Sequence, residues 1–153
     1  MTMRLATTKD LPDLMRLAKE FHFGVHLKEI ALFEDSEPGW LQWFVTCLES
    51  PDYVVLITHD GDRAVGFLTG VMGRIFWRPQ SKVACETAWW TSEDVRGKGH
   101  GRALLAGLVT WARQSGAERV SAGSTQSSRP KAMHKLLRAE GFRESERQYV
   151  MVL

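Results

Sequence analysis

Between Val95 and Arg102 the chain reads Val95-Arg96-Gly97-Lys98-Gly99-His100-Gly101-Arg102, with glycines at three alternate positions among basic side chains. Few local structures use such a run. Upstream, Val83 to Thr91 is an apolar strand. Downstream, Leu104, Leu105, Leu108, Val109, Trp111 and Ala112 form a helical stripe closed by Gly116. The glycine run is therefore a turn from a strand into an amphipathic helix. A helix start presents unpaired N–H groups and a partial positive charge, which together attract phosphate. Glycines at 97, 99 and 101 remove the side chains that would hold a diphosphate away from those amides, while Arg96, Lys98 and Arg102 add counter-charge. The spacing fits neither G-x-G-x-x-G nor G-x-x-x-x-G-K-[ST], so it is not a dinucleotide fingerprint or a nucleoside-triphosphate loop.

The rest of the chain reads as one domain, 1–153. No repeat, low-complexity tract or long linker divides it. Met3 to Ala6 is a short strand, followed by a helix capped near Thr7–Asp10 that carries Leu11, Leu14, Leu17 and Ala18 to about Phe21. A second helix runs from Pro38 to Leu48 with Trp40, Leu41, Phe44 and Leu48 on one face. Three strands follow: Tyr53–Thr58, Arg63–Trp77 and Val83–Thr91, with a turn at His59–Asp62 and glycines 66, 70 and 73 marking twist or bulge. After the helix of residues 99–115 come a strand at 118–123, a helix from Pro130 to Glu140 and a final strand or strand pair over 142–153. The order β-α-α-β-β-β-α-β-α-β predicts an α/β (α+β) fold with a mixed central sheet and helices on both faces.

Bulk properties exclude several classes. A net charge of +2 is too small for nucleic acid as an electrostatic partner. No segment approaches the ~20 apolar residues of a membrane span, and the N-terminus lacks a signal peptide's apolar run. Cys47 and Cys85 read as free, buried thiols of a reducing compartment, with no metal-binding spacing. The expected location is cytoplasmic, with no metal and no membrane partner.

The stretch Thr91 to Leu105 resembles the GNAT superfamily of acetyl-CoA-dependent N-acetyltransferases. Arg96, Gly99 and Gly101 match its signature Arg/Gln-x-x-Gly-x-Gly/Ala, and Gly116-Ala117 and Ala139-Glu140-Gly141-Phe142 match further habitual features. The element order resembles that fold over nearly the whole chain. The resemblance implies acetyl-CoA in a cleft between two splayed strands. Trp89, Trp90 and Thr91 would meet its pantetheine arm, and the amides of Gly97 to Arg102, those of Lys98, Gly99, His100 and Gly101 among them, would hold its pyrophosphate. The loop 124–129, with Ser127 and Arg129, would approach from the far side. A homodimer is among the superfamily's habits.

Acetyl transfer to an amine needs a neutral nucleophile, a positioned thioester and a proton for the departing thiolate. Glu86 is the candidate base, because alternation along its strand places Glu86, Ala88 and Trp90 on one face and an acidic residue is unusual in a central strand. Some members, including ones resembling phage-encoded acetyltransferases, carry a similar Glu followed by paired aromatics. The alternative is a structural carboxylate held by Arg74 or Arg78. The family's usual thiolate acid is a tyrosine one turn before the terminal Gly-Phe, a position held here by Leu137. His134, three residues earlier on roughly the same helix face, is the candidate substitute, with Tyr149 behind it.

The acceptor side is expected from Phe21, His22, His26, Trp40, Trp43 and Trp77, with Glu29, Glu34, Asp35 and Glu37 nearby in sequence. Aromatic and acidic groups together suit a cationic amine, on a small molecule or on a protein. The alternative is a non-catalytic acyl-CoA-binding or partner-binding module, which the leucine at 137 favours.

Overall fold

In the computed structural model, residues 1–25, 33–124, 130–145 and 151 are described, with the backbone alone at 33 and 34. The elements in order are β1 (Thr2–Leu5), a 3-10 turn (Thr8–Asp10), α1 (Leu11–Gly24), α2 (Phe33–Glu49), β2 (Tyr53–Asp60), β3 (Arg63–Ile75) and β4 (Arg78–Thr91). A second 3-10 turn (Glu93–Val95), α3 (His100–Gln114), β5 (Arg119–Ser121) and α4 (Pro130–Ala139) follow. The five strands form one sheet in the order β1-β2-β3-β4-β5, antiparallel throughout except for the parallel β4–β5 pair. Helices cover both faces, as the element order predicts.

The two faces are packed differently. On one, α1 and α2 bury Leu14, Leu17, Phe44 and Cys47 against Val55, Ile57, Phe67, Ala88 and Trp90. On the other, Leu104, Leu105 and Leu108 of α3 close over Val54, Leu56, Leu68 and Trp89, and Met133, Leu136 and Leu137 of α4 pack at the margin. Burial of this apolar area drives the assembly. Cys47 is buried and its thiol is pushed up to about 11 by that burial, while Cys85 is half-buried; neither is in a disulfide.

Several boundaries differ from the sequence reading. The first helix continues to Gly24, and α2 begins at Phe33, five residues ahead of Pro38, which lies inside it. Leu41 is exposed at 45%, and the half-buried Trp43 packs against the core instead. The third strand of the meander starts at Arg78 rather than Val83, so the β3–β4 hairpin extends well past the end of β2. Residues 142–145 and 151 are not in a strand; residues 146–150, with Tyr149, and 152–153 lie outside the described residues.

Two bulges shape the sheet. Thr58 pairs with Gly66 but His59 pairs with Ala64, so Val65 is an extra residue in β3. Thr69 pairs with Ala88 but Gly70 pairs with Glu86, so Thr87 is an extra residue in β4. Glycine is needed beside both for lack of room. A Cβ on Gly66 would sit 2.7 Å from the Trp90 carbonyl oxygen, and one on Gly70 would sit 2.7 Å from a Leu108 methyl.

Candidate active site

The phosphate-attracting turn forms as its composition requires. Gly97 and Gly99 hold φ of +85° and +95°, a left-handed conformation that a side chain disfavours, and Gly99 is the N-cap of α3. The helical ladder starts with the Ala103 N–H donating to the Gly99 carbonyl at 3.0 Å, leaving the N–H groups of Gly99 to Arg102 without intrahelical acceptors. A Cβ on Gly97 would meet no heavy atom within 4 Å, so open space lies over this turn. Those free amides, that space and the exposed Lys98 suit a diphosphate.

The side chains of the run do not all share that role. The Arg96 guanidinium donates to the Thr91 carbonyl at 3.2 Å and to Glu93 at 3.1 Å, and lies 4.4 Å from the Trp90 ring centroid. It braces the turn against β4. The Arg102 guanidinium pairs with Glu140 at 2.8 Å. The His100 ring turns into the sheet, where Nδ1 and Thr58 Oγ1 are 3.0 Å apart, and burial lowers its pKa. His100 thus offers the turn its backbone amide and not a cationic ring.

Beside the turn, the sheet opens. Strand β5 pairs with β4 at three positions, Val83–Arg119, Ala84–Val120 and Cys85–Ser121. Beyond Cys85, β4 continues to Thr91 with no strand on that edge among the described residues. A slot walled by backbone polar groups results. Trp89 and Thr91 lie at its inner end, where a Cβ on Gly101 would be 3.5 Å from the Trp89 ring and 3.9 Å from the Thr91 methyl. The Trp90 indole N–H donates to Glu20 at 3.2 Å, as does the Ser92 hydroxyl at 2.6 Å, tying the end of β4 to α1.

Glu86 stands where the two strands part. Its Oε2 accepts the Gly123 N–H at 3.0 Å, and burial raises its carboxyl above the ordinary carboxylate range against the lowering effect of that bond. Arg74 donates to the Pro79 carbonyl and Arg78 pairs with Glu118, so both arginines engage groups other than Glu86. The expected alternation is corrected, however. Glu86 pairs with Gly70, whose missing side chain would point at Leu108 and Val54, so Glu86 faces α3. Ala88 and Trp90 face α1 and α2. The extra residue Thr87 reverses the phase of the strand.

On the α1–α2 face, directly over this bulge, lies a cleft of about 410 Å³ lined by Ser36, Gly39, Trp40, Trp43, Thr87 and Ala88. A second cleft of about 520 Å³ lies between the end of α1 and the turn after β4, lined by Glu20, Phe23, Gly24, Arg63, Trp90 and residues 92–94.

The other expected residues scatter. Phe21 packs edge-on against Trp40, Phe67 and Trp90 and belongs to the core. His22 is buried at 2% exposure. Trp77 is 72% exposed at the tip of the β3–β4 hairpin beside Phe76; at about 3.3 Å per residue that tip is roughly 40 Å along β4 from Trp90. His134 is exposed on α4, and Leu137 packs into the leucine cluster with Phe142. His26, Ser127 and Arg129 lie outside the described residues. The sequence reading did not single out Thr87, Gly39 or Gly123; an extra strand residue or a turn amide leaves no periodic signal.

Among the described residues no helix is long and apolar enough to cross a membrane. No curated protein matches the chain by sequence. Solved structures share its fold. A transcriptional regulator from Bacillus halodurans C-125 superposes with a TM-score of 0.81 at 20% identity, covering 99% of both chains. An aminoglycoside antibiotic 6'-N-acetyltransferase from Acinetobacter haemolyticus, in its apo form, gives 0.74 at 19% identity, covering 100% of this chain and 98% of that one. A predicted acetyltransferase from Clostridium acetobutylicum, solved with acetyl-CoA, gives 0.77 at 16% identity, covering 99% and 95%. The protein-family model described as "Acetyltransferase (GNAT) family" matches residues 11–142, from the first turn of α1 through the glycine turn and the parted strands to the residues after α4. The chain belongs to the GNAT acetyltransferase family.

Proposed function

We propose that this protein moves an acetyl group from acetyl-CoA to a primary amine by direct attack. The observation that carries the reading is the adjacency of two features. The open edge of β4 beyond Cys85 offers backbone groups to an extended amide-bearing arm, and the α3 start offers amides to a diphosphate. Acetyl-CoA joins such an arm to a diphosphate, and a structural neighbour was solved with acetyl-CoA bound. Bound there, acetyl-CoA supplies the thioester, and this chain's residues position it and handle protons. The amine lone pair attacks the thioester carbon, the C–S bond breaks and the amine gives up a proton.

Glu86 is the proposed proton acceptor. It stands at the parting of β4 and β5, its Oε2 fixed by the Gly123 N–H, and its raised pKa brings it nearer the working range of a base. With an apolar Leu137 in place of a tyrosine, the thiolate takes its proton from Glu86, from water or from His134. The free thiols Cys47 and Cys85 suit work in the cytoplasm.

Saturating acetyl-CoA is expected to raise the melting temperature; at 100 times its Kd the gain is about 2.7 kcal/mol. No shift at any concentration overturns the reading. A second reading, an acyl-CoA-binding module without catalysis, draws on Leu137 being committed to the leucine cluster. A thermal shift with no thiol release across an amine panel would select it.

A further inference from the structure

The cleft over the Thr87 bulge differs in chemistry from the rest of the site. Its walls are the half-buried Trp40 and Trp43 from α2, and its floor is Thr87 and Ala88. The floor's one hydroxyl is already engaged: Thr87 Oγ1 shares a hydrogen bond of 2.7 Å with Thr69 Oγ1, buried beneath it. An acceptor rich in hydroxyl groups would lose hydrogen bonds to water here and regain few. Both indoles are themselves braced, Trp40 tilted over Phe44 at 5.8 Å and Trp43 edge-on to Tyr53 at 5.4 Å, so the walls are preformed.

Charge is placed differently. Asp35 and Glu37 are exposed on α2, flanking Ser36 at the cleft's rim, and they attract a protonated amine toward it. Indole faces favour the same cation as it desolvates. The volume, about 410 Å³, lies in the range of small-molecule sites. Gly39 widens the cleft on the helix side, since a Cβ there would meet nothing within 4 Å.

We infer that this cleft is the acceptor site and that it takes a primary amine carried on a flat apolar body, such as an arylalkylamine, in preference to an amino sugar or a peptide. The apolar body lies between Trp40 and Trp43. The amine points to the floor at Thr87 and Ala88, on the stretch of β4 whose open edge would hold the thioester. The inference rests on the acetyl-transfer reading above.

The test is steady-state acetylation by the full chain with acetyl-CoA and four probes: tryptamine, 2-phenylethylamine, glucosamine and a lysine-containing peptide. The arylalkylamines are expected to exceed glucosamine in kcat/KM by about 30-fold or more, the effect of burying one aromatic group. Trp43→Ala should raise their KM about tenfold, the order expected from losing an aromatic pair and its buried area, with the acetyl-CoA thermal shift unchanged. Because Trp43 also packs on Tyr53, Gly39→Leu is the second variant. It fills the cleft from an exposed helical position and should raise the same KM without loss of stability. Glucosamine or the peptide as the better substrate overturns the inference, as does an unchanged arylalkylamine KM in a folded Gly39→Leu protein. Absence of turnover with every probe together with no acetyl-CoA shift instead removes the acetyl-transfer reading beneath it.

Discussion

Strand β4 is bonded very differently along its two edges. Toward β3 it is paired from Arg78 to Thr91, the register shifting at Thr87 and near the hairpin tip. Toward β5 it is paired at three residues, and beyond them no strand lies on that edge among the described residues. The first edge builds the core; the second exposes the groups that the core needs nothing from. Unsatisfied strand edges are normally covered or blunted, because they template aggregation. On the acetyl-transfer reading proposed above, the unpaired edge from the half-buried Glu86 to the glycine turn is the room kept for the cofactor.

That comparison can be broken or sharpened at three positions. The largest effect is expected on the open edge. Glu86→Gln keeps an oxygen for the Gly123 N–H yet cannot take a proton, so kcat should fall about 100- to 1,000-fold. Burial favours the neutral acid and raises the Glu86 pKa, and a base must be ionised. Activity of the native protein should therefore fall with decreasing pH through that raised pKa, above the range of an ordinary carboxylate. A kcat/KM–pH profile that keeps this acidic limb in the Gln variant would remove Glu86 from the role.

The next effect lies on the paired edge. Gly66→Ala drives a Cβ toward the Trp90 carbonyl, which is backbone and cannot rotate away, and should cost about 1–3 kcal/mol by chemical denaturation. It should leave the acetyl-CoA affinity of the folded fraction near the native value. A large affinity loss with native stability would mean that the two edges are not separable.

The smallest is at the glycine turn. Gly99→Ala forces a side chain into a left-handed conformation at a cost of about 1–2 kcal/mol. Its stability loss should be accompanied by a reduced acetyl-CoA thermal shift, because the amides at the start of α3 move. An unchanged shift would detach the turn from cofactor binding.

Much of this architecture was legible in the sequence, for identifiable reasons. The glycine run, the stripe on α3 and the stop at Gly116 are local signals, and the local structure follows them. Helix–strand order is likewise written in periodicity. Three things were not legible. The α2 start lies five residues ahead of Pro38, which sits inside the helix, so the residue read as a start signal is an interior one. Aromatics collected by residue type proved to occupy separate places: Phe21 in the core, Trp77 at an exposed tip, Trp40 and Trp43 along one cleft. Glu86 was found on its strand but assigned to the wrong face, because counting by twos assumes that no residue is extra.

The bulge at Thr87 acts on β4 as a half-period slip acts on a wave. Even-numbered Ala84 and Glu86 are in phase with α3, whereas even-numbered Ala88 and Trp90 are in phase with α1 and α2. A strand in strict register would seat a carboxylate at 86 among the aromatics of its own parity. Shifting the parity by one lets two adjacent stretches of one strand serve opposite sides of the molecule, with the crossover falling where the sheet parts.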